Sequence, residues 1–199
     1  MRSINSDMTE VFEWGRVMLQ SERLQYRRLS EKDLLIFQAL YTNPEVMRYA
    51  YMDRLEPGEK TEEAFREVLK LQQEDVGDQF VAALKDTGED IAIVDYEVLK
   101  KHEQGGICEM GYFILPGYWG CGYGSEMGQA IIDEIFHNRR FHKIVASCNG
   151  NNRASENIMK KLGMQKEGIL RKVRYKDGRW DDEIKYGLLR EEWEELKNL

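Results

Sequence analysis

The chain has 199 residues, of which 42% are apolar and 33% charged, and its 36 acidic residues against 29 basic ones give a formal net charge of -7. Single domains commonly span roughly 100 to 200 residues, so this size and balance predict one folded domain with a buried core and disfavour disorder. The excess of acid argues against a general nucleic-acid binder, which normally carries a basic face. We predict an N-terminal extension over residues 1–20 and a single domain over residues 21–199.

The spacing of the cysteines and the hydropathy of the sequence indicate the cellular compartment in which the protein is expected. The spacing of Cys108, Cys121 and Cys148 fits neither a disulfide framework nor a zinc site, so we expect no metal and a reducing environment. The first 20 residues lack the apolar centre of a signal peptide, and no run approaches the ~20 apolar residues that cross a bilayer. We therefore expect a cytoplasmic protein without a membrane partner.

In chain order, the hydrophobic periodicity predicts strands and helices that mix in an α+β arrangement. The predicted strands are 22–29, 80–84, 91–99, 107–115, 144–148, 169–175 and 183–189, of which the second to fourth form an antiparallel meander. The predicted helices are 34–41, 61–71 with Thr61 as its cap, one through Met127 to Phe136, and 153–162. Asp177-Gly178 predicts the turn of a closing hairpin.

The most informative segment runs from Tyr112 to Met127, where a strand leads through a glycine-rich turn into an amphipathic helix. A helix start preceded by small residues presents unpaired N–H groups and a positive dipole end, which together hold a phosphate or diphosphate. The turn has no lysine, which excludes a P-loop, and its third small residue comes one position too early for a dinucleotide fingerprint. A phosphate-bearing ligand held by backbone alone remains, beside the alternative of a tight turn that holds nothing.

At these residues the sequence resembles the GNAT superfamily of acetyl-CoA-dependent N-acetyltransferases. The family pattern is Gln or Arg, two variable residues, Gly, one variable residue, then Gly or Ala, and Trp119, Gly122 and Gly124 occupy its places. Trp in the first place departs from the general pattern but is similar to the RimJ/RimL-like branch, which acetylates the N-termini of ribosomal proteins. The resemblance spans 22–193 and also rests on Glu109–Tyr112, Asn152-x-x-Ser155, Lys161–Met164, Glu167-Gly168, Asp182 and Tyr186–Trp193.

The resemblance implies a splayed, mostly antiparallel central sheet with flanking helices, and acetyl-CoA as cosubstrate in the gap of the sheet. The implied cofactor-binding groups are the backbone of Phe113 and Ile114 for the pantetheine arm, the amides of Trp119, Gly120, Cys121, Gly122, Tyr123, Gly124 and Ser125 for the diphosphate, and the side chains of Asn152 and Ser155. For the last two the alternative is structural: Asn152 as the N-cap of its helix and Ser155 as a small packing residue.

Acetyl transfer needs a neutral amine and a proton for the departing thiolate. An α-amine has a pKa of about 8, so its deprotonation at pH 7 costs only about 1.4 kcal/mol. Glu109 is our candidate for the base or for a water relay, the alternative being a residue that merely pairs across the sheet. The place of the family's usual tyrosine acid holds Met159. In the RimJ/RimL-like branch a serine at the position of Ser155 is a proposed acid, so the resemblance makes Ser155 the candidate, with a water relay or an unprotonated thiolate as alternatives.

Direct transfer is favoured because Cys121 and Cys148 have no histidine close in sequence, and the three histidines are expected at the surface or at caps. The acceptor pocket should draw on 47–60, with its tyrosines and acidic residues, and on the hairpin 174–180. These residues either attract a cationic amine or simply solvate a loop.

The leading hypothesis is an N-acetyltransferase that moves an acetyl group from acetyl-CoA to a primary amine. The alternative, prompted by Met159, is a non-catalytic acyl-CoA-binding or regulatory module, and a purely structural domain is the third. The sequence does not choose between a protein N-terminus and a small amine such as a polyamine, an amino-acid conjugate or an aminoglycoside. A homodimer is compatible with the sequence but not required by it.

Overall fold

The structure is a computed structural model that describes residues 19–74 and 76–198. Its strands are β1 (Leu24–Arg28), β2 (Gly77–Leu84), β3 (Asp90–Lys100), β4 (Gly106–Ile114), β5 (Phe141–Asn149), β6 (Gln165–Lys176) and β7 (Arg179–Leu189). Its α-helices are α1 (Leu34–Tyr41), α2 (Glu59–Leu71), α3 (Tyr123–Asn138), α4 (Arg153–Lys161) and α5 (Arg190–Lys197). The predicted extension over residues 1–20 lies, apart from Leu19 and Gln20, outside the described residues.

The sheet is mostly antiparallel and open in the middle. Its strand order is β1-β2-β3-β4-β5-β7-β6, and β4 with β5 is the parallel pair. That pair is joined only from Gly106 to Glu109 on β4 and from Phe141 to Val145 on β5. Beyond these residues the two strands part, so the last five residues of β4 pair with β3 alone. The predicted α+β class with a splayed, mostly antiparallel sheet is confirmed.

Two apolar layers cover the faces of this sheet. Because side chains alternate along a strand, Ile93 packs with Phe37 and Phe65 against α1 and α2, whereas Val94 joins the layer under α3 and α4. Phe37 is fully buried and stacks on Tyr41 at a centroid distance of 4.1 Å. The face that carries α1 and α2 is called the α1/α2 face below.

The predicted elements occur in the predicted order, although several begin earlier than predicted, such as β2 at Gly77, β5 at Phe141 and β7 at Arg179. The N-cap of α2 is Gly58 rather than Thr61, since Gly58 adopts a φ of +110° that side chains disfavour, and the buried Thr61 donates its hydroxyl to the carbonyl of Glu56. Strand β6 begins at Gln165, four residues earlier than predicted, because this edge strand is largely exposed and shows no clean alternation. Within 19–74 and 76–198, no helix is long and apolar enough to cross a membrane.

Candidate active site

The glycine-rich turn leads directly into α3. Gly122 is the N-cap of this helix with a left-handed φ of +86°, and Gly120 has a φ of +75° with open space where a side chain would stand. The first amide of α3 to find a helical carbonyl is that of Glu126, which donates to Gly122. The amides that precede Glu126 at the start of α3 have no carbonyl partner within the helix, as at any helix N-terminus, so they can bind a ligand.

Trp119 fixes the entry to this turn. Its amide donates to the carbonyl of Pro116 at 3.2 Å, and its indole Nε1 donates to the carbonyl of Ile114 at 2.9 Å. Both groups are thus engaged within the protein. Of the amides that the resemblance assigned to the diphosphate, that of Trp119 already donates to a carbonyl of the protein. The amides from Gly120 to Ser125 are better placed to bind a diphosphate.

A brace that sequence reasoning missed holds the turn from outside. Glu126 accepts hydrogen bonds from the amide of Arg23 at 2.7 Å and from the hydroxyl of Ser21 at 2.6 Å. The guanidinium of Arg23 pairs with the same carboxylate, donates to the carbonyl of Cys121 at 3.0 Å and lies over the ring of Tyr123. These partners are about a hundred positions apart, so no local pattern announces them. A carboxylate in the first turn of a helix is also favoured by the helix dipole.

The start of α4 lies beside the start of α3. The side-chain oxygen of Asn152 accepts a hydrogen bond from the amide of Ser155 at 3.2 Å and so caps α4, as the structural alternative expected. The side-chain nitrogen Nδ2 of Asn152 has no hydrogen-bond partner among the described residues, while the backbone N–H donates to the carbonyl of Asn149. A side chain at Gly124 would collide with Ile158 of α4 at 2.6 Å, which explains how closely the two helices approach. Two helix N-termini therefore flank the end of β4.

The hydroxyl of Tyr112 is buried between β4 and α4. It approaches Ser155 without completing a hydrogen bond to any described residue, and burial raises the pKa of Tyr112 to about 12, an effect that Ser155 opposes. Met159, in the family's usual tyrosine place, is 3% exposed and belongs to the core under the sheet. The hydroxyls of Ser155 and Tyr112 thus lie on the α4 side of the gap.

Cysteines and histidines contribute little to this region. Burial raises the pKa of Cys148 to about 11 and that of Cys108 to about 12, so neither offers a thiolate, while Cys121 is exposed in the turn. His102, His137 and His142 lie near the start of β4, the end of α3 and the start of β5, which is the opposite end of the sheet from the turn. Among the described residues, no group of three or more histidine, cysteine or acidic side chains is placed to hold a metal ion.

Glu109 lies where the parallel pairing of β4 and β5 ends. Its carboxylate accepts a hydrogen bond from the hydroxyl of Ser147 at 2.6 Å, and the amine of Lys185 lies 4.0 Å away. Glu109 therefore does contact its neighbours across the sheet, which was the structural alternative. Its part in catalysis stays a prediction.

Asp95 is a second carboxylate near the gap, and sequence reasoning missed it. It lies on β3 directly opposite Gly111, where β4 has lost its β5 partner, and it is half-buried. Burial, together with the negative charges of Glu97 and Glu109, raises the pKa of Asp95 to about 6. The available signal was one acidic residue directly after the apolar run Ile91–Val94.

The two predicted walls of the acceptor pocket come together around a cleft of about 320 Å³. The amine of Lys176 joins them, since it donates to the carbonyls of Met47, Ala50 and Met52 at 2.7, 3.2 and 2.9 Å. The lining residues are Ala50, Tyr51, Asp53, Asn149, Val173, Arg174, Tyr175, Lys176 and Glu183. Carboxylates and aromatic rings therefore share one cavity, the combination expected for a cationic amine.

The parting of β4 from β5 beside the open start of α3 is the arrangement that the resemblance to N-acetyltransferases implied. The family model described as "Acetyltransferase (GNAT) domain" matches residues 23–165, and this chain belongs to that family. The relatives include a ribosomal-protein acetyltransferase, which agrees with the RimJ/RimL-like resemblance of the sequence.

Three proteins that are similar to this chain in sequence or in structure differ in the acceptors, if any, that their names state. The chain is 33% identical over 181 residues to the uncharacterised N-acetyltransferase YnaD of Bacillus subtilis, covering 88% of this chain and 98% of that one. It is 29% identical over 86 residues to the alanine N-acetyltransferase of ribosomal protein uS5 from Escherichia coli, covering 43% and 44%. A spermidine N-acetyltransferase from Vibrio cholerae, solved with CoA and spermine, superposes with a TM-score of 0.77 at 22% identity, covering 86% of this chain and 98% of that chain.

Proposed function

We propose that this protein is an acetyl-CoA-dependent N-acetyltransferase that moves an acetyl group to a primary amine by direct attack. The observation that carries the proposal is the parting of β4 from β5 next to the open start of α3. A gap between strands suits an extended amide-containing arm, and the helix start suits a diphosphate at the end of such an arm.

The residues around the gap fit this cosubstrate. The edge of β4 at Phe113 and Ile114 has no β5 partner, and Gly120 leaves its turn uncovered by a side chain. The free amide nitrogen of Asn152 at the start of α4 can bind a carbonyl of the arm. When bound there, acetyl-CoA supplies an acetyl group activated as a thioester.

Protons move at two places in this proposal. Glu109 acts as the base or in a water relay that carries the proton of the acceptor amine toward solvent, from its position at the end of the parallel pairing. Ser155 donates a proton toward the sulfur, and the nearby hydroxyl of Tyr112 supports it from β4. The absence of a thiolate among the buried cysteines supports direct transfer over a cysteine-bound intermediate.

The first prediction concerns Glu109→Gln. This change keeps the shape and the contact with Ser147 but removes the charge, so we expect kcat/KM to fall by about 10- to 100-fold with an unchanged Kd for CoA. The assay is release of free thiol from acetyl-CoA with a panel of amines. Glu103→Gln, an exposed carboxamide substitution in the loop before β4, is the matched control and should retain wild-type rates.

The acceptor is proposed as a primary amine of a protein N-terminus or of a small cation. The relatives named above act on a ribosomal-protein alanine or on spermidine, and both groups present a cationic amine to the enzyme. Asp53 on one wall of the cleft can attract such a charge, whereas Glu183 on the other wall is paired with Arg174. Assays with N-terminal alanine peptides and with spermidine, side by side, separate the two classes.

A non-catalytic acyl-CoA-binding module is the second candidate, and the burial of Met159 favours it. Calorimetry with CoA and the thiol assay together decide: binding without turnover of any amine supports the module. A cytoplasmic location and a homodimer remain proposals, which cell fractionation and light scattering test.

A further inference from the structure

We propose that Asp95 receives the proton of the acceptor amine, and that Glu109 passes this proton on toward solvent. The inference rests on the proposed function. It divides proton transfer from the amine between two carboxylates, one that accepts the proton and one that relays it. It follows from the level at which each carboxylate lies relative to the end of β4, from the residues that surround Asp95, and from the charges of those residues.

Position along the strand favours Asp95. Strand residues advance about 3.3 Å each, so Gly111 lies roughly 7 Å before Phe113 and Glu109 roughly 13 Å before it. Asp95 is the cross-strand partner of Gly111, while Glu109 pairs with Glu97. If the thioester lies at the unpaired edge near Phe113, Asp95 is therefore about two residues closer to it along the strand direction than Glu109 is.

The side chain of Asp95 leans over β4 on the acceptor side. A methyl group added at Gly111 would lie 2.9 Å from Oδ1 of Asp95, so the carboxylate occupies the space that glycine leaves free. Asp95 shares the α1/α2 face with Phe113, because Ile93 pairs with Phe113 two positions along. Tyr41 of α1 contacts the ring of Phe113 at 5.2 Å, and its hydroxyl is close enough to feel the charge of Asp95.

The charges around Asp95 leave it available as a base. Glu97 on its own strand and Glu109 on β4 are negative, while Gln79, its partner on β2, and Tyr41 on α1 are neutral. Among residues 19–74 and 76–198, no lysine, arginine or histidine pairs with Asp95. Such surroundings favour the protonated acid, and a pKa of about 6 suits a base working near neutral pH.

The step balances with the groups already named. The neutral amine nitrogen forms its bond to the acetyl carbon, the bond from that carbon to sulfur breaks, and the electron pair leaves with the sulfur. The nitrogen, positive after attack, gives its proton to the carboxylate of Asp95, which becomes the neutral acid. The proton then passes from Asp95 through solvent water to the carboxylate of Glu109, which releases it to bulk solvent, so that both carboxylates are ionised again.

The test is the pH profile of Asp95→Asn. With an acceptor amine of pKa about 9, the logarithm of wild-type kcat/KM should rise with a slope near two below about pH 6 and near one above it, because amine and carboxylate both lose protons. In Asp95→Asn the slope should be near one throughout, and kcat/KM at pH 7.5 should fall by about 100-fold.

Three variants separate proton uptake from packing. Glu97→Gln, an exposed neighbour on the same face of β3, should keep the maximal rate and move the break in slope to lower pH, because a repelling charge is gone. Glu109→Gln should also keep a break in slope, moved to lower pH for the same reason, whereas a base at Glu109 would make the break disappear in this variant. Gly111→Ala should displace the Asp95 carboxylate and lower the rate with all charges intact.

Thermal unfolding shows whether Asp95→Asn is folded, and its pH dependence tests whether the pKa of Asp95 is raised in the folded protein. The pKa of Asp95 is raised from 3.8 to about 6, so the folded state binds more protons in that window and wild-type stability falls as the pH rises through it. Asp95→Asn should therefore melt higher than wild type above pH 6 and lose this advantage below about pH 4.

A wild-type rate and an unchanged break in slope for Asp95→Asn would overturn the inference while the proposed function stands. A wild-type protein that binds CoA but acetylates no amine would overturn the proposed function, and the inference with it.

Discussion

Gly122→Val is expected to weaken the binding of CoA by about 100-fold while leaving the use of S-acetylpantetheine nearly unchanged. Valine at a φ of +86° costs about 1–2 kcal/mol, and its branches reach toward the guanidinium of Arg23, already 3.4 Å from the position of Cβ. The amides at the start of α3 then shift from a bound diphosphate. Each charge-assisted hydrogen bond lost costs about 1.5–3 kcal/mol, and 100-fold in Kd corresponds to about 2.7 kcal/mol.

Two comparisons make this result specific. Pantetheine lacks the diphosphate, so equal losses for CoA and S-acetylpantetheine would mean that the glycine turn does not hold that group. Gly117→Ala is the matched control in the same turn, since Gly117 has no left-handed φ and nothing stands within 4 Å of its added Cβ. Calorimetry gives the Kd for CoA, and the thiol assay gives kcat/KM for both thioesters.

Arg174→Ala is expected to lower the free energy of unfolding by about 3 kcal/mol. The ion pair of Arg174 with Glu183, at 2.6 Å, is largely buried, with exposed side-chain fractions of 15% and 8%. Burial holds the pKa of Arg174 below its usual range, which shows how far this charge is removed from water. Deleting it leaves the carboxylate of Glu183 buried, with Lys185 as its remaining cationic partner among the described residues.

The same substitution should alter the acceptor cleft. The guanidinium of Arg174 lies over the ring of Tyr51, which lines the cleft, so its loss removes the support of that wall and should raise the KM for the amine. Denaturant unfolding measures stability, and steady-state kinetics at a temperature where the variant is folded measure KM. Arg66→Ala, whose side chain is 63% exposed and 3.7 Å from Glu62, should cost less than about 0.5 kcal/mol. Similar losses for both variants would refute a role for the buried ion pair.

Local patterns were sufficient for the elements and for the glycine turn. The strand-like runs of β2 to β4, the helical spacing after the turn and the glycines of the turn itself depend on neighbours in the chain, which the sequence displays. Edge strand β6 was predicted too short because neither of its faces is consistently buried. The N-cap of α2 was misplaced because Thr61 serves as a buried donor to Glu56 instead.

What the sequence by itself determined is therefore the family resemblance, the order of strands and helices, and the turn that can hold a diphosphate through backbone amides. Only the tertiary structure decided where β4 and β5 part, how Arg23 and Glu126 brace the turn, and that Asp95 stands over Gly111. Each of these depends on strand register or on contacts between distant segments, and a one-residue change of register would turn Asp95 to the other face. A pKa is likewise set by burial and neighbouring charges in space, which no linear spacing contains.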